Sequence, residues 1–293
     1  MTLLLQFAVS AFSQGCVESS KVVAPILSTE TRKSYEAKLA EAKQANSKDP
    51  DSAETIIWLG RRTAYLGHYK EAISIFSEGI EKFSRDARFL RHRGHRLLTL
   101  RCFDDAIKDF EAAAKLIKGT QDQVEPDGLP NAKNIPTGTL QSNIWYHLGL
   151  AYYLKGDFKN AVRAYEECQK VSKNNDMRVA TAYWHYMTLR RMDRAKEAQR
   201  ILEPFAADIE VIENTDYLKL VRLNRAEITT DALLAEISGD ANTLGSASLG
   251  YGIGNYFLYN GHREKALEIF RKIIAGNQWA SFGYIAAEAE LSK

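Results

Sequence analysis

A spaced trio of two small residues and one aromatic residue recurs along this chain. A glycine precedes an alanine by twelve residues, and an aromatic side chain follows four residues after that alanine. The three copies are Gly60, Ala72 and Phe76; Gly94, Ala106 and Phe110; and Gly149, Ala161 and Tyr165. Small residues let paired helices approach closely, and the aromatic ring fills the remaining space. A motif that returns after about 34 residues indicates an array of similar helical hairpins.

The third copy carries the fullest version of this motif. Trp145, Leu148 and Gly149 precede Tyr152 on its first helix, and Gly156 marks the turn. This pattern resembles the tetratricopeptide repeat (TPR), a helix–turn–helix unit of about 34 residues with a W-L-G-Y…A…F skeleton. The resemblance implies an all-α fold, a right-handed superhelical solenoid of helix–turn–helix repeats whose first helices line a concave face for partners.

Repeat-like units alternate with segments that lack the motif. The predicted segments are a capping helix that forms half a repeat (30–52), repeats 1 and 2 (53–118), an insertion loop (119–141), repeats 3 and 4 (142–212), non-motif helices with a Gly/Ser-rich link (213–246), and repeat 5 with a C-terminal capping helix (247–293). In repeat 4, Tyr186 and Phe205 replace small packing residues, which predicts altered helix spacing. The insertion has turn residues and no apolar periodicity, and such loops are usually either functional or disordered. The sequence leaves both readings open.

The N-terminus is apolar and uncharged from Met1 to Phe12. Its length suits a signal peptide, predicted over 1–15 and followed by a flexible lead-in over 16–29. Cleavage beside Ser13 predicts a bacterial protein exported to the periplasm or secreted. Alternatively, a loose lipobox ending at Cys16 would anchor the chain to a membrane through a lipid, and a third reading has no processing. No Lys or Arg precedes the apolar run, which leaves open a true start upstream of Met1.

The three cysteines fit this interpretation of the N-terminus. If Cys16 is removed or lipidated, only Cys102 and Cys168 remain. Cys102 falls in the turn between two helices and Cys168 inside a second helix, so no bridge between them is expected. The sequence predicts that Cys102 is a surface residue and that Cys168 fills the core.

The charge balance limits the classes of partner. The chain has 39 basic and 37 acidic residues, a formal net charge of +2, and this gives no broad electrostatic case for nucleic acid. His92 and His95 have the spacing of metal ligands, but the neighbouring arginines disfavour a cation, so no metal site is expected. No cofactor is predicted either.

No motif for catalysis stands out. The acidic pairs at 104–105 and 166–167 fall on the solvated faces of second helices, and the chain lacks a phosphate-binding loop, a nucleophile elbow and a zinc-protease motif. The sequence therefore predicts that the protein is not an enzyme. One alternative is a hydrolase that uses the 119–141 insertion.

The concave face implied by the TPR resemblance would be aromatic and basic. Its predicted partner-binding residues are Arg61, Tyr65, Arg91, His92, His95, Tyr146, Tyr153, Tyr183, Met187, Arg190, Arg191, Asn255 and Tyr259. Such a surface suits an anionic peptide or the C-terminus of a protein partner. The alternative interpretation is that these side chains only pack between repeats.

Chaperone-binding members of the family carry a Lys and Asn carboxylate clamp, and this chain departs from it. Ile57 and Arg61 occupy the two clamp positions. Carboxylate recognition would therefore need Arg61, Arg91 or His147 in another arrangement. The interpretation is a non-catalytic scaffold for a protein or peptide, with an exported, carbohydrate-associated accessory protein as the alternative. The oligomeric state is left open.

Overall fold

The protein is all-α in the computed structural model, which describes residues 14–205, 209–237 and 242–293. Fifteen helices lie in this part of the chain, and the β-structure within it is one isolated bridge between Val124 and Thr139. The helices are α1 Gln14–Ser19, α2 Thr29–Lys48, α3 Ala53–Tyr65, α4 Tyr69–Lys82, α5 Ala87–Thr99, α6 Phe103–Leu116, α7 Leu140–Lys155, α8 Phe158–Val171, α9 Asn175–Arg191, α10 Ala195–Leu202, α11 Thr215–Asn224, α12 Thr230–Ile237, α13 Leu244–Tyr259, α14 Arg263–Ile274 and α15 Phe282–Leu291. Residues 1–13 of the predicted signal peptide lie outside the described residues.

The recurring motif builds helical hairpins in the way its residue sizes predict. In repeat 3, a Cβ added at Gly149 would lie 2.5 Å from the ring of Tyr165, so only glycine leaves room for that ring. Repeat 1 has the same arrangement, with 2.4 Å between such a Cβ at Gly60 and the ring of Phe76. The hairpins α3/α4, α5/α6, α7/α8, α9/α10 and α13/α14 pack side by side. The predicted TPR-like α-solenoid is confirmed.

The solenoid closes on itself, although the sequence implied an open concave face. Helix α15 packs on α13 and α14, as expected of a cap, and it also contacts α7 in repeat 3. The ring of Phe282 in α15 lies 5.3 Å from that of His95 and 5.5 Å from that of His147. Arg191 at the end of α9 forms a 2.6 Å ion pair with Glu290 of α15. The chain's own C-terminal helix therefore covers part of the inner wall, meaning the side lined by α3, α5, α7, α9 and α13.

A disulfide joins Cys16 to Cys102, with 5.9 Å between their Cα atoms. The sequence interpretation had not considered this pairing, because it treated Cys16 as removed or lipidated. The bridge uses the sulfur that a lipid would need, so the lipid-anchored reading does not fit this structure. Cys102 is 2% exposed and the prediction of a surface residue is wrong, whereas Cys168 is a buried free thiol that fills the core as predicted.

The lead-in after Cys16 was expected to be flexible, but it is held against the array. The Ser20 hydroxyl donates to the backbone oxygen of Leu100 at 3.1 Å. Pro25 and Ala24 lie beside Gly67, where an added Cβ would be 2.6 Å from the Pro25 ring. The disulfide and these contacts tie the N-terminal segment to the first two repeats.

Replacing Cys16 with serine is expected to lower the free energy of unfolding by about 2 to 4 kcal/mol, because the bridge closes a loop with a sequence separation of 86 residues. Urea unfolding of the oxidised proteins measures this difference. Under reducing conditions the wild type and Cys16→Ser should unfold at the same urea concentration. A variant as stable as the oxidised wild type would contradict the bridge.

Candidate functional site

The inner wall contains all thirteen side chains that the sequence assigned to partner binding. Eight of them are buried and five are half-buried, so none stands free on an open groove. They divide into a basic group on α3 and α5, a buried polar group shared by α7, α9 and α13, and a group at the C-terminal ends of α9 and α13. The assignment to a partner stays a prediction, since each group already contacts other parts of this chain.

Residues 124–128 of the insertion, here called the strap, lie across the basic group. Arg61 Nη2 donates to the backbone oxygen of Pro126 and Arg62 Nη1 to that of Gly128, both at 2.8 Å. Arg91 Nε lies 3.0 Å from a carboxylate oxygen of Glu125. Three arginines on two adjacent first helices therefore hold one extended stretch of the chain's own backbone.

The ends of the strap are fixed to the start of α7. The Glu125 amide donates to the Gly138 oxygen at 3.1 Å, and the Leu140 amide donates to the Gln123 oxygen at 2.9 Å. These bonds pair the two arms of the insertion, which reaches α7 through the capping box of Thr139. The insertion is thus an ordered hairpin-like element on the inner wall, and the disordered reading does not describe it.

A central cavity of about 490 Å³ lies between the strap, the inner wall and the C-terminal helices. Its lining includes two arginines, Arg61 and Arg91, and the imidazoles of His95 and His147. The lining also contains four carboxylates, those of Glu125, Asp127, Glu213 and Asp216. Desolvation raises the pKa of Asp127, and the nearby Glu213 carboxylate raises it further. Desolvation likewise raises the pKa of Asp216.

The polar group shared by α7, α9 and α13 joins repeat 3 to repeat 5. The hydroxyls of Tyr153 and Tyr251 lie 2.7 Å apart, and Asn255 Nδ2 donates to the Tyr153 oxygen at 2.6 Å. The same amide lies 3.1 Å from the sulfur of Met187. Burial raises the pKa of Tyr153 to about 12. These residues hold the solenoid closed. A partner could reach them only if the solenoid opened.

Helix α11 covers the remaining tyrosines of the inner wall. The Tyr146 hydroxyl donates to the Tyr217 oxygen at 3.3 Å, and the Tyr183 ring lies 6.0 Å from the Tyr217 ring. The Tyr259 hydroxyl donates to Asn224 at 2.6 Å. Three of the tyrosines assigned to a partner therefore contact α11.

The last group of the wall contains Arg190 and Arg191 at the end of α9. Arg190 donates to the Tyr186 hydroxyl at 2.8 Å, and its guanidinium lies 4.2 Å from the Tyr259 ring centre. Arg191 is neutralised by Glu290. Both arginines therefore act inside the closed fold.

The two histidines on α5 serve as acceptors for an arginine. Arg91 Nη1 lies 3.2 Å from Nδ1 of His92 and 3.4 Å from Nδ1 of His95. Burial lowers the pKa of both rings, and neighbouring arginines lower it further. Among all the residues that the structure describes, no group of three His, Cys, Asp or Glu side chains is placed to hold a metal ion. In the same residues, no helix combines the length and apolarity that a membrane span requires.

Sequence reasoning missed Arg62, Arg96 and the acidic strap. No sequence motif distinguishes Arg62 or Arg96 from their neighbours, because each is one of several arginines in a short basic run. A signal for the strap did exist: the predicted inner wall contained no acid, while the insertion has Glu125 and Asp127 on either side of a proline. Complementary charge could have placed the insertion on the wall.

Comparison with known proteins supports this fold. Residues 142–175 match the family model described as tetratricopeptide repeat. A tetratricopeptide repeat protein from Parabacteroides merdae is 15% identical over 87% of this chain and 92% of its own, with a TM-score of 0.51. YrrB, described as a TPR protein with an unusual peptide-binding site, is 15% identical over 86% of this chain and 98% of its own, with a TM-score of 0.45. Among curated proteins, none matches this chain.

Proposed function

We propose that this chain, an α-solenoid in which residues 142–175 match the tetratricopeptide-repeat model, is a non-catalytic scaffold that binds an extended acidic segment of a protein partner on the inner wall. One observation carries this proposal: the wall already holds such a segment, the strap, through Arg61, Arg62 and Arg91. Two of these contacts go to backbone oxygens, which any peptide offers. The third goes to a carboxylate, which selects for acid.

The strap must leave for a partner to bind there. Its contacts are mainly polar, and within it Val124 is 62% exposed while Pro126 is also exposed. A segment with little buried apolar surface opens at low free-energy cost compared with the helical core. The strap therefore competes with a partner for the same arginines. The apparent affinity for the partner is the intrinsic affinity multiplied by the fraction of molecules in which the strap is released.

We also propose that the protein is exported to an oxidising compartment, the periplasm or the exterior. The disulfide supports this location, because such bridges persist in oxidising environments and are rare in reducing ones. Cleavage beside Ser13 would keep Cys16 in the mature chain. That reading of the N-terminus is consistent with the bridge.

No contact among the described residues favours the sugar-binding or hydrolase alternatives. Tyr146, Tyr153 and Tyr183 would have to stack on sugar rings, and they are buried under α11 and α13. In the insertion, Glu125 and Asp127 line the central cavity, and Asp122 accepts a hydrogen bond from the Gln141 amide.

The test uses the strap sequence as a probe. Replacing residues 124–128 with Gly-Ser-Gly-Ser-Gly removes the competitor, and a labelled peptide of residues 121–129 is then added in trans. We expect the peptide to bind the replaced variant at least tenfold more tightly than the wild type, measured by fluorescence anisotropy. Removing one partner of a buried ion pair leaves the other charge uncompensated, so Arg91→Gln in the replaced background should weaken binding by about tenfold or more.

Two controls make the result specific. The same peptide with Gln in place of Glu125 should bind weakly, and Arg200→Gln, a change at an exposed arginine of α10, should leave binding unchanged. If the peptide fails to bind the replaced variant, or binds it equally well after Arg91→Gln, the inner wall is not the partner site.

A further inference from the structure

A second, smaller cavity lies behind the strap, between α3 and α5. Its volume is about 110 Å³, and its polar lining consists of Arg61, Tyr65, Arg91, His92, His95, Arg96 and Glu125. Three arginines thus face one carboxylate. Because burial lowers the pKa of both histidines, the rings are neutral at pH 7 and do not change this balance. The cavity carries an excess of positive charge that its own walls do not neutralise.

Arg96 has no carboxylate partner among the residues that the structure describes. Its recorded contact is with the ring of Tyr69, 5.9 Å from the guanidinium carbon. Burial lowers the pKa of Arg96 to about 10, with only tyrosine oxygens opposing that effect. Arg96 is half-buried. A partly desolvated cation without a counter-charge is costly, so the site favours an anion.

Arg91 also retains unused hydrogen-bonding capacity. It is 7% exposed, and its Nε proton has no aligned acceptor, although the Glu125 carboxylate lies at 3.0 Å. The contact with Glu125 is therefore an ion pair without hydrogen-bond geometry. An arginine fork buried in this way is the group that binds planar carboxylates and phosphates most effectively.

We propose that this cavity binds one small oxyanion, a carboxylate or a phosphate group, held by Arg91 and Arg96. A water molecule takes about 30 Å³ in the liquid, so the space suits an ion of a few heavy atoms and excludes a peptide backbone. The anion reaches the site from the central cavity, because both cavities share Arg61, Arg91, His95 and Glu125 in their walls. The small cavity lies in the same inner wall as the proposed partner site. The anion proposal, however, depends only on this cavity and its charges.

Calorimetric titration of the full chain with inorganic phosphate, and separately with acetate, tests the proposal at constant ionic strength set with chloride. We expect saturable binding of one anion per chain. Arg96→Gln should weaken it at least tenfold, and Arg96→Lys should weaken it less because the charge remains. The exposed Arg200→Gln is the matched control and should bind like the wild type. Circular dichroism confirms that each variant is folded.

Glu125→Gln is expected to strengthen anion binding, whereas Arg96→Gln is expected to weaken it. Glu125→Gln removes the single carboxylate that competes for Arg91, so the anion should bind several-fold more tightly. Binding of phosphate alone identifies a phosphate source, and binding of acetate alone identifies a carboxylate source. The proposal is overturned if neither anion binds saturably at millimolar concentration, or if Arg96→Gln binds as well as the wild type. Failure of the strap peptide to bind leaves this titration unaffected, so the two proposals fail separately.

Discussion

Lowering the pH from 7 to 5 is expected to destabilise the fold by about 4 kcal/mol through His147 and His185 alone. Both rings are buried, at 5% and 3% exposure. Burial lowers the pKa of His147 to about 3 and that of His185 to about 4. Both values lie far below the value of about 6.5 in an unfolded chain.

The sign of the effect follows from which state binds protons. Below pH 6.5 the unfolded chain protonates these rings, whereas the folded protein does so only near pH 3 to 4. Stability is therefore complete above pH 6.5 and falls as the pH drops from there towards the folded-state values. At pH 5 each ring costs about 2 kcal/mol, since one pH unit corresponds to about 1.4 kcal/mol. The lowered pKa values of His92 and His95 act in the same direction.

Urea unfolding at pH 7, 6 and 5 measures this loss. The double variant His147→Gln/His185→Gln removes two titrating groups, so its stability should fall less steeply with acid, whatever its stability at pH 7. His262→Gln changes an exposed histidine of the C-terminal repeat and serves as the control. If the stability of the double variant falls equally steeply with acid, these two rings are not buried in their neutral form.

The hairpins were predictable because the residues that define them are local. Gly149 and Tyr165 meet within one repeat, so their spacing in the sequence already specifies the close approach. The TPR resemblance, which implies that first helices line the inner wall, likewise placed Arg61 and Arg91 there. In repeat 4, where Tyr186 departs from the small-residue pattern, α10 has eight residues against fourteen in α8.

The closure of the solenoid was not predictable, because it depends on contacts between distant segments. A helical pattern shows which face is apolar and does not show which helix will cover it. Tyr153 meets Tyr251 across a separation of 98 residues, and nothing in either neighbourhood indicates the other. The same holds for the disulfide and for the strap, whose backbone oxygens bind arginines without any sequence signature. The missed features are those that turn an open array into a closed one.

Replacing Asp109 with alanine is expected to cost about 3 to 5 kcal/mol, because it breaks a buried ion pair between the two helices of repeat 2. Arg93 of α5 donates from Nε and Nη2 to both carboxylate oxygens of Asp109 in α6, each at 2.7 Å. Its Nη1 donates to the Ser77 hydroxyl of α4 at 3.0 Å. The two charged side chains are only 9% and 6% exposed. Removing the carboxylate leaves the guanidinium in a site that water cannot reach freely.

Helix α6 also supplies the matched control for this change. Asp104 pairs with Lys155 on the surface, where both side chains are about half exposed or more, so Asp104→Ala should cost no more than about 1 kcal/mol. Replacing the buried pair together, as Arg93→Met/Asp109→Leu, should recover much of the loss, since the lone charge is then gone. Urea unfolding of the three variants against the wild type separates these cases. If Asp109→Ala costs no more than Asp104→Ala, or the double variant is less stable than Asp109→Ala, the loss does not come from a buried charge left without its partner.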